Sequence, residues 1–219
     1  AAGNALRMAA RITGRRTVLV AGSLDPERRS VISNFCEERG AGRHLTLVEI
    51  ATDPASGLVD LQDLGAQLSS DVAAFYFETP SFLGVLESQG AESAALVHRV
   101  GAKLVVGVDP ITLGVVAPPS SYGADLVVGT IQPLGLHLDC GGSMGGFIAS
   151  PDEEQYVYEF PTLLITTAPT VKGELGFTTT LLEQSSYDAR EDGKDWTGHT
   201  VNLWAIASAA YMTLMGPDG

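Results

Sequence analysis

Two turns, each following an apolar run, carry the residues whose types could do chemistry. Asp109 comes directly after the run 103–108, and Gln132 and Pro133 come soon after the run 124–129. Continuous apolar runs of this length are typical of buried parallel strands, whose carboxyl ends meet at one edge of a sheet. A carboxylate at that edge can pair with a protonated ring nitrogen, and a lysine there could form an imine. Proline has no amine, so position 133 cannot supply the second function.

This arrangement resembles that of pyridoxal-phosphate enzymes of the aspartate aminotransferase type, with one residue changed. In those enzymes an acid after one strand pairs with the pyridinium nitrogen, and a lysine after the next strand forms the Schiff base. Asp109 has the acid's position, but Gln132 and Pro133 stand where the lysine is required. Asp-Pro after a strand is also a common turn start, so a structural role for Asp109 stays open. The pattern indicates a cofactor-enzyme fold without its chemistry, which favours a non-catalytic partner subunit.

Other residues offer little catalytic chemistry. The lysines are Lys103, Lys172 and Lys194; the first opens a strand at the end away from the ligand-binding edge, the second lies far downstream, and the third stands among acids. The four histidines show no paired metal spacing, so no metal site is predicted. His137 lies beside the turn of Gln132 and Pro133 and could line a shared site. The glycine-rich segment 141–146 lacks the strand–loop–helix order of a phosphate-binding loop and is interpreted as a tight turn.

Composition excludes several functions. The 219 residues are 45% hydrophobic, enough for one sizeable core, and the formal net charge is −13. That charge argues against binding nucleic acid or anionic membrane surfaces, and no apolar run reaches the roughly 18 residues of a membrane span. Cys36 and Cys140 have no CxxC neighbour, so we interpret them as small buried hydrophobes and expect a cytoplasmic location. The pattern predicts a helix over residues 1–12 with no capping residue before it, and a helix stop at residues 216–219. Both features indicate truncated ends.

The elements that position these residues follow a strand–helix alternation. The pattern predicts an α/β fold with a mostly parallel sheet covered by helices on both faces. The predicted strands are 17–21, 44–50, 72–77, 103–108 and 124–129, and the predicted helices are 1–12, 26–40, 61–68, 87–100 and 202–215. We expect Val31, Ile32 and Phe35 to point inward, and the last helix, apolar nearly all round, to be buried. The sequence predicts a single large-domain fragment, 1–219, with a sheet core over 1–150 and trailing strands and a buried helix over 151–219.

Several motifs identify the sequence as similar to the glycine cleavage system P-protein family, and specifically to the alpha subunit (subunit 1) of its two-subunit form. The matching residues are 11–16, Val108-Asp109-Pro110 with Leu113-Gly114, Pro118-Pro119, Tyr122-Gly123-Ala124-Asp125 with Val127-Val128-Gly129, Gln132-Pro133-Leu134-Gly135, Gly141-Gly142 and Gly146-Phe147. The resemblance runs over most of the chain and is most specific between Asp109 and Phe147.

The resemblance implies a fold and a function. The fold would be the large domain of fold-type I pyridoxal-phosphate enzymes, with a seven-stranded sheet. The related beta subunit carries His-Lys in place of Gln132 and Pro133, so pyridoxal phosphate would be held by that partner, with Asp109 a relic here. The two subunits would form a hetero-oligomer that decarboxylates glycine and passes the aminomethyl group to a lipoyl carrier protein. Residues 187–199 depart from the family pattern, because they are more acidic and include an extra Trp196.

Two other functions remain open on the sequence alone. The first is an independent pyridoxal-phosphate enzyme related to class V aminotransferases or desulfurases, which needs a Schiff-base lysine. The second is a stand-alone interaction protein that kept the fold and lost the chemistry. A cofactor adduct on the lone chain favours the first, and the lack of a beta-type partner favours the second.

Overall fold

The computed structural model describes residues 1–37, 44–136, 144–161, 164–180, 194 and 202–217. The chain divides into two compact units. The first comprises Ala1–Pro151 and Val201–Gly219, and the second comprises Asp152–Thr200.

The elements alternate along the first unit much as the sequence pattern predicts. The strands are β1 (Thr17–Ala21), β2 (Thr46–Ile50), β3 (Val72–Thr79), β4 (Lys103–Val108), β5 (Leu126–Thr130) and β6 (Gly146–Ala149). The helices are α1 (Ala2–Thr13), α2 (Pro26–Cys36), α3 (Leu61–Gln67) and α4 (Gly90–Arg99), and short 3₁₀ helices follow β4 at Pro110–Gly114 and Pro119–Tyr122. α5 (Glu154–Val157), β7 (Leu164–Pro169) and β8 (Leu175–Thr180) belong to the second unit, and α6 (Asn202–Met215) returns to the first.

One sheet organises the first unit, with the strand order β2-β1-β3-β4-β5-β6. The first five strands are parallel and β6 pairs with β5 in the antiparallel direction. The fold is therefore the α/β arrangement with a mostly parallel sheet that the sequence predicts. The described residues contribute six strands to it, where the family resemblance implied seven.

Helices cover both faces of the sheet. α3 and α4 bury Leu64 and Val97 in a cluster with Phe75, Phe77 and Leu104 of the central strands. Because side chains alternate along a strand, the intervening residues of β3 and β4 face the opposite side, where α1 and α2 pack. All eight residues of β3 are buried, so this strand forms the centre of the core.

The start of α2 follows the capping rules. The Asp25 carboxylate accepts hydrogen bonds from the backbone N–H groups of Glu27 (2.7 Å) and Arg28 (3.3 Å), with Pro26 at the first helical position.

In α2, only Ile32 and Cys36 are buried; the prediction that Val31 points inward is wrong, and Phe35 is more than a third exposed. Burial raises the pKa of the Cys36 thiol to about 11, while Cys140 lies outside the described residues.

Within this chain, α6 is exposed rather than buried. Its bounds, Asn202–Met215, match the prediction, but Leu203, Ile206 and Leu214 each expose about two thirds or more of their surface, and Ser208 is its buried residue. The helix is therefore not buried within this chain, and its burial between the sheet and another domain or subunit stays a prediction. An apolar composition on all sides indicates that a helix is covered but not which chain covers it. No helix in the described part of the chain combines the length and apolar character needed to cross a bilayer.

The second unit contains a two-stranded antiparallel hairpin of β7 and β8. Ile165, Leu175 and Phe177 lie on one face of it, since Phe177 is opposite Thr167, which is two residues from Ile165, and Leu175 is two residues from Phe177. All three are largely exposed. Tyr156 of α5 is buried. The division of the whole chain into one large domain stays a prediction.

Arg15 connects the amino end of β3 with the carboxyl ends of α1 and α4. Its Nη1 donates to the carbonyl oxygens of Val72 at the start of β3 (2.9 Å) and of Val100 after α4 (2.8 Å), and it follows α1 by two residues. The guanidinium thus provides a hydrogen-bond donor for two backbone carbonyl oxygens, one in the first residue of β3 and one in the residue that follows α4.

We expect Arg15→Ala to lower the free energy of unfolding by about 2–3 kcal/mol, because the two charge-assisted hydrogen bonds to the partly buried carbonyl oxygens of Val72 and Val100 are lost. Urea denaturation followed by circular dichroism measures this. The exposed neighbour Arg16 is the matched control, and Arg16→Ala should stay within about 0.5 kcal/mol of the parent. Equal losses for both variants would contradict the assignment of the clamp to Arg15.

Candidate functional site at the carboxyl edge of the sheet

The turns that follow β4 and β5 lie side by side at the carboxyl edge of the sheet. Val108 pairs with Gly129 at the end of the β4–β5 ladder, so Asp109 and the segment 131–136 leave the sheet at neighbouring positions. The sequence predicted this juxtaposition. Ligands of open α/β sheets bind at this edge, which makes it the first place to look for chemistry.

Asp109 serves its own turn. The residue is exposed, and its carboxylate accepts a hydrogen bond from the backbone N–H of Ile111 (3.0 Å). The Thr112 hydroxyl donates to the Asp109 carbonyl oxygen (2.7 Å), and Pro110 begins the 3₁₀ helix. This is the geometry of an Asp that starts a turn. A role as the relic of a cofactor-pairing acid stays a prediction.

Gln132 and Pro133 lie in a closed turn. The backbone N–H of Leu134 donates to the Ile131 carbonyl (3.0 Å) and that of Leu136 to the Gln132 carbonyl (3.1 Å). Gly135 has φ +79°, and a Cβ there would lie 2.7 Å from Tyr211 of α6. Tyr211 therefore packs directly on the turn, and only glycine fits both the backbone angle and the contact. His137 follows this turn but lies outside the described residues.

None of the three lysines lies at the turn after β5. Lys103 is the single lysine in the sequence of the first unit; it starts β4 at the opposite edge, with Nζ 3.3 Å from Asp125. In the second unit, Lys172 is exposed between β7 and β8. Lys194 lies 3.6 Å from Glu159 and 4.1 Å from the centre of the Tyr158 ring. The turn after β5 offers no amine, so its residues do not fit a cofactor held there through an imine.

His98 and the motif residue Asp125 form a structural contact. His98 Nε2 lies 2.8 Å from Asp125 Oδ2, and the same oxygen accepts from the backbone N–H of Leu104 (2.8 Å). His44 is exposed ahead of β2, and His199 lies outside the described residues. Among the described residues, no group of three or more His, Cys, Asp or Glu is placed to bind a metal ion.

Sequence reasoning missed a charged cluster at the end of β3, which we call the Glu78 cluster: Arg28, Tyr76 and Glu78. Glu78 Oε1 accepts hydrogen bonds from Arg28 Nη1 (2.7 Å) and from the Tyr76 hydroxyl (2.7 Å). Glu78 is 6% exposed and Tyr76 is buried, whereas Arg28 is 49% exposed. The available signal was Glu78 itself, a carboxylate that ends an otherwise apolar strand.

Burial and charge set the protonation of this cluster. Desolvation, reinforced by the Glu78 carboxylate, raises the pKa of Tyr76 well above its usual value, so the hydroxyl stays a donor. Burial works against the charge on Arg28, but Glu78 outweighs it and raises the pKa of the guanidinium. Tyr76 therefore stays neutral and Arg28 stays charged over the accessible pH range.

Gly107 makes room for the cluster. It pairs with Glu78 across the β3–β4 ladder, and a Cβ at this position would lie 2.5 Å from the Tyr76 hydroxyl oxygen and 3.0 Å from Glu78 Cγ. No real Cβ tolerates such a contact, so the tyrosine and glutamate side chains can adopt their positions only beside a glycine.

Tyr122, in one of the family-like motifs, packs across the start of α4. Its ring would lie 2.7 Å from a Cβ on Gly90. The hydroxyl is buried without a hydrogen-bond partner among the described residues. Burial, with a smaller contribution from Glu87, raises the pKa of Tyr122 to about 12.

Comparison with known proteins matches the whole chain. The family model described as glycine cleavage system P-protein covers residues 1–219. Probable glycine dehydrogenase (decarboxylating) subunit 1 from Saccharolobus solfataricus is 34% identical over 98% of this chain, and that from Sulfolobus acidocaldarius is 31% identical over 98%. The chain spans about half the length of these relatives, 47% in each case.

The structural comparison agrees. A crystal structure of glycine decarboxylase (P-protein) of the glycine cleavage system, in inhibitor-bound form, superposes with a TM-score of 0.87 and 33% identity over 100% of this chain and 47% of that chain. A sphingosine-1-phosphate lyase from Burkholderia pseudomallei shares the fold at a TM-score of 0.58 and 13% identity. The fold is thus that of the large domain of fold-type I pyridoxal-phosphate enzymes, as the sequence predicted.

We expect Gly107→Ala to lower the free energy of unfolding by about 1–3 kcal/mol, because the new methyl group overlaps the Tyr76 hydroxyl. Gly65→Ala in α3 is the matched control. Its Cβ meets nothing within 4 Å, so this helical substitution should stabilise by up to about 1 kcal/mol. Chemical denaturation of both variants decides; a Gly107→Ala protein as stable as Gly65→Ala would refute the packing argument.

Tyr122→Phe should flatten the loss of stability at alkaline pH. Because the folded-state pKa is raised from 10 to about 12, the unfolded chain ionises first and stability falls as pH rises through this window, whereas both states are protonated below pH 10. Phenylalanine removes that dependence and the unpaired buried hydroxyl. Denaturation midpoints at pH 8, 10 and 11 measure it, and unchanged slopes in the variant would contradict this assignment.

Proposed function

We propose a function for this chain on one established premise: the chain belongs to the glycine cleavage system P-protein family. It acts as the alpha subunit (subunit 1) of a glycine decarboxylase and does not itself hold the cofactor. A beta subunit (subunit 2) carries pyridoxal phosphate, decarboxylates glycine and passes the aminomethyl group to a lipoyl carrier protein. The enzyme activity belongs to the assembled hetero-oligomer.

The observation that carries this proposal is the turn after β5. Pro133 stands where the Schiff-base lysine is required, and the turn is closed by its own hydrogen bonds and by Tyr211. Lys103 cannot substitute, since it begins β4 at the opposite edge and pairs with Asp125. A chain with this edge keeps the shape of the enzyme domain while the reactive amine is supplied by another chain.

The names of the relatives support the proposal that two different subunits share the enzyme's functions. Those that match over almost the whole of this chain are named as subunit 1, a name that implies a second subunit. In the proposed assembly, this chain supports the beta subunit and shapes the channel to its cofactor. Asp109, Gln132 and Pro133 border that channel, and the lipoyl carrier reaches it from outside. His137 lies outside the described residues, and its part in a shared site stays a prediction from the sequence. A cytoplasmic location remains a prediction from the cysteine content.

The chain alone should form no covalent adduct with pyridoxal phosphate. After incubation with the cofactor and reduction with borohydride, peptide mapping should find no stoichiometric label on Lys103, Lys172 or Lys194, because none of them lies at the cofactor position. Mixed with the subunit-2 homologue and the lipoyl carrier protein from the same organism, the pair should release labelled carbon dioxide from carboxyl-labelled glycine, with the aminomethyl group transferred to the carrier. In the borohydride-reduced pair, the cofactor adduct should map to a lysine of the partner.

Two results would contradict the proposal in different ways. A stoichiometric adduct on one lysine of this chain, abolished when that lysine is changed to arginine, makes it an independent pyridoxal-phosphate enzyme. A pair that neither associates nor decarboxylates glycine makes it a stand-alone interaction protein. The partner subunit assayed by itself is the control that assigns the activity to the complex.

A further inference from the structure

The order of the strands produces a topological switch point between β1 and β3. These two strands are neighbours in the sheet, yet β1 leads into α2 on one face and β3 leads into α4 on the other. Connections that depart to opposite faces leave a gap at the carboxyl ends of the two strands. Such topological switch points are where open α/β sheets bind their ligands.

The Glu78 cluster spans this switch point. Arg28 lies in the first turn of α2, directly after β1, and Glu78 is next to the last residue of β3. The backbone N–H of Phe82, in the loop after β3, donates to the Ser23 carbonyl in the loop after β1 (3.2 Å). The two loops are thus fixed to each other beside the arginine.

The guanidinium is held from its buried side and open on the other. Glu78 and Tyr76 are nearly or fully buried and contact Arg28 through Glu78 Oε1 and the tyrosine hydroxyl, whereas half of the Arg28 surface is exposed. A guanidinium has five N–H donors in a planar fork, and the hydrogen bond to Glu78 uses Nη1. Among the described residues the guanidinium makes no side-chain hydrogen bonds other than those of the Glu78 cluster, so its remaining donors are available to a ligand.

A salt bridge that only joined α2 to β3 would not require this construction. Gly107 has no side chain, and this leaves the space in which the Tyr76 hydroxyl reaches Glu78. The hydroxyl orients the Glu78 carboxylate, and the carboxylate orients the Arg28 guanidinium. Arginine oriented in this way is the preferred protein group for bidentate binding of carboxylate and phosphate.

We propose that Arg28, oriented by Glu78 and Tyr76 at the switch point between β1 and β3, binds a small oxyanion, either a carboxylate or a phosphate. This site lies at the end of β3, two strands away from the end of β5 that leads to Pro133, and its test changes no residue of that turn, so its failure leaves the proposed function untouched. Because the chain carries a net charge of −13, the binding relies on local geometry rather than on the overall field.

Isothermal titration calorimetry of the purified chain tests the site, with inorganic phosphate and with acetate up to about 10 mM against sodium chloride of equal ionic strength. We expect saturable binding of at least one of them. Phosphate alone indicates a phosphate-bearing ligand, acetate alone a carboxylate ligand, and both a general oxyanion site. Saturable binding of neither anion would overturn the proposal without any variant.

Two charge-preserving variants locate the site. Arg28→Lys keeps the charge but loses the fork, and should weaken the binding about tenfold. Arg29→Lys is the matched control, since Arg29 is the next residue of α2, is half-exposed, and pairs with Glu49 at 2.7 Å outside the cluster; it should change the affinity less than about twofold. Equal effects of the two variants, or no effect of Arg28→Lys, would overturn the assignment to Arg28.

Discussion

The fully buried central strand β3 is the constraint on which the rest of the first unit depends. Each of its eight residues is buried, so both faces of the sheet need helices, and the chain must cross from one face to the other beside it. That crossing produces the switch point between β1 and β3. It also places Glu78, the one carboxylate of the strand, where it is removed from water and must be paired.

A second constraint acts at the carboxyl end of β5. In a fold that elsewhere holds a cofactor through a lysine, this chain builds a short hydrogen-bonded turn around Gln132 and Pro133 and packs Tyr211 onto Gly135. The overall fold is shared with a P-protein of the glycine cleavage system at a TM-score of 0.87. A shared fold does not by itself specify the chemistry, which depends on the side chains at this edge.

The sequence predicts most of the sheet because its strands are short apolar runs with clear boundaries, and the adjacency of Asp109 and Gln132 follows from the order of β4 and β5. Side-chain contacts between distant elements leave no such local pattern. Glu87, for example, is assigned to helix α4 by periodicity, but its carboxylate instead accepts from the backbone of Val59 (2.8 Å) and Gln89 (2.9 Å), and the helix begins at Gly90. The pairing of Arg28 with Glu78, fifty positions apart, is invisible to periodicity for the same reason.

The central claim is that the cofactor belongs to the partner chain. Native mass spectrometry of the assembled complex, loaded with pyridoxal phosphate, tests it most directly by counting cofactor molecules for each pair of subunits. The account predicts one pyridoxal phosphate for each alpha–beta pair and none on the alpha subunit released from it. Two cofactors for each pair, or one that remains on the released alpha subunit, would contradict the account.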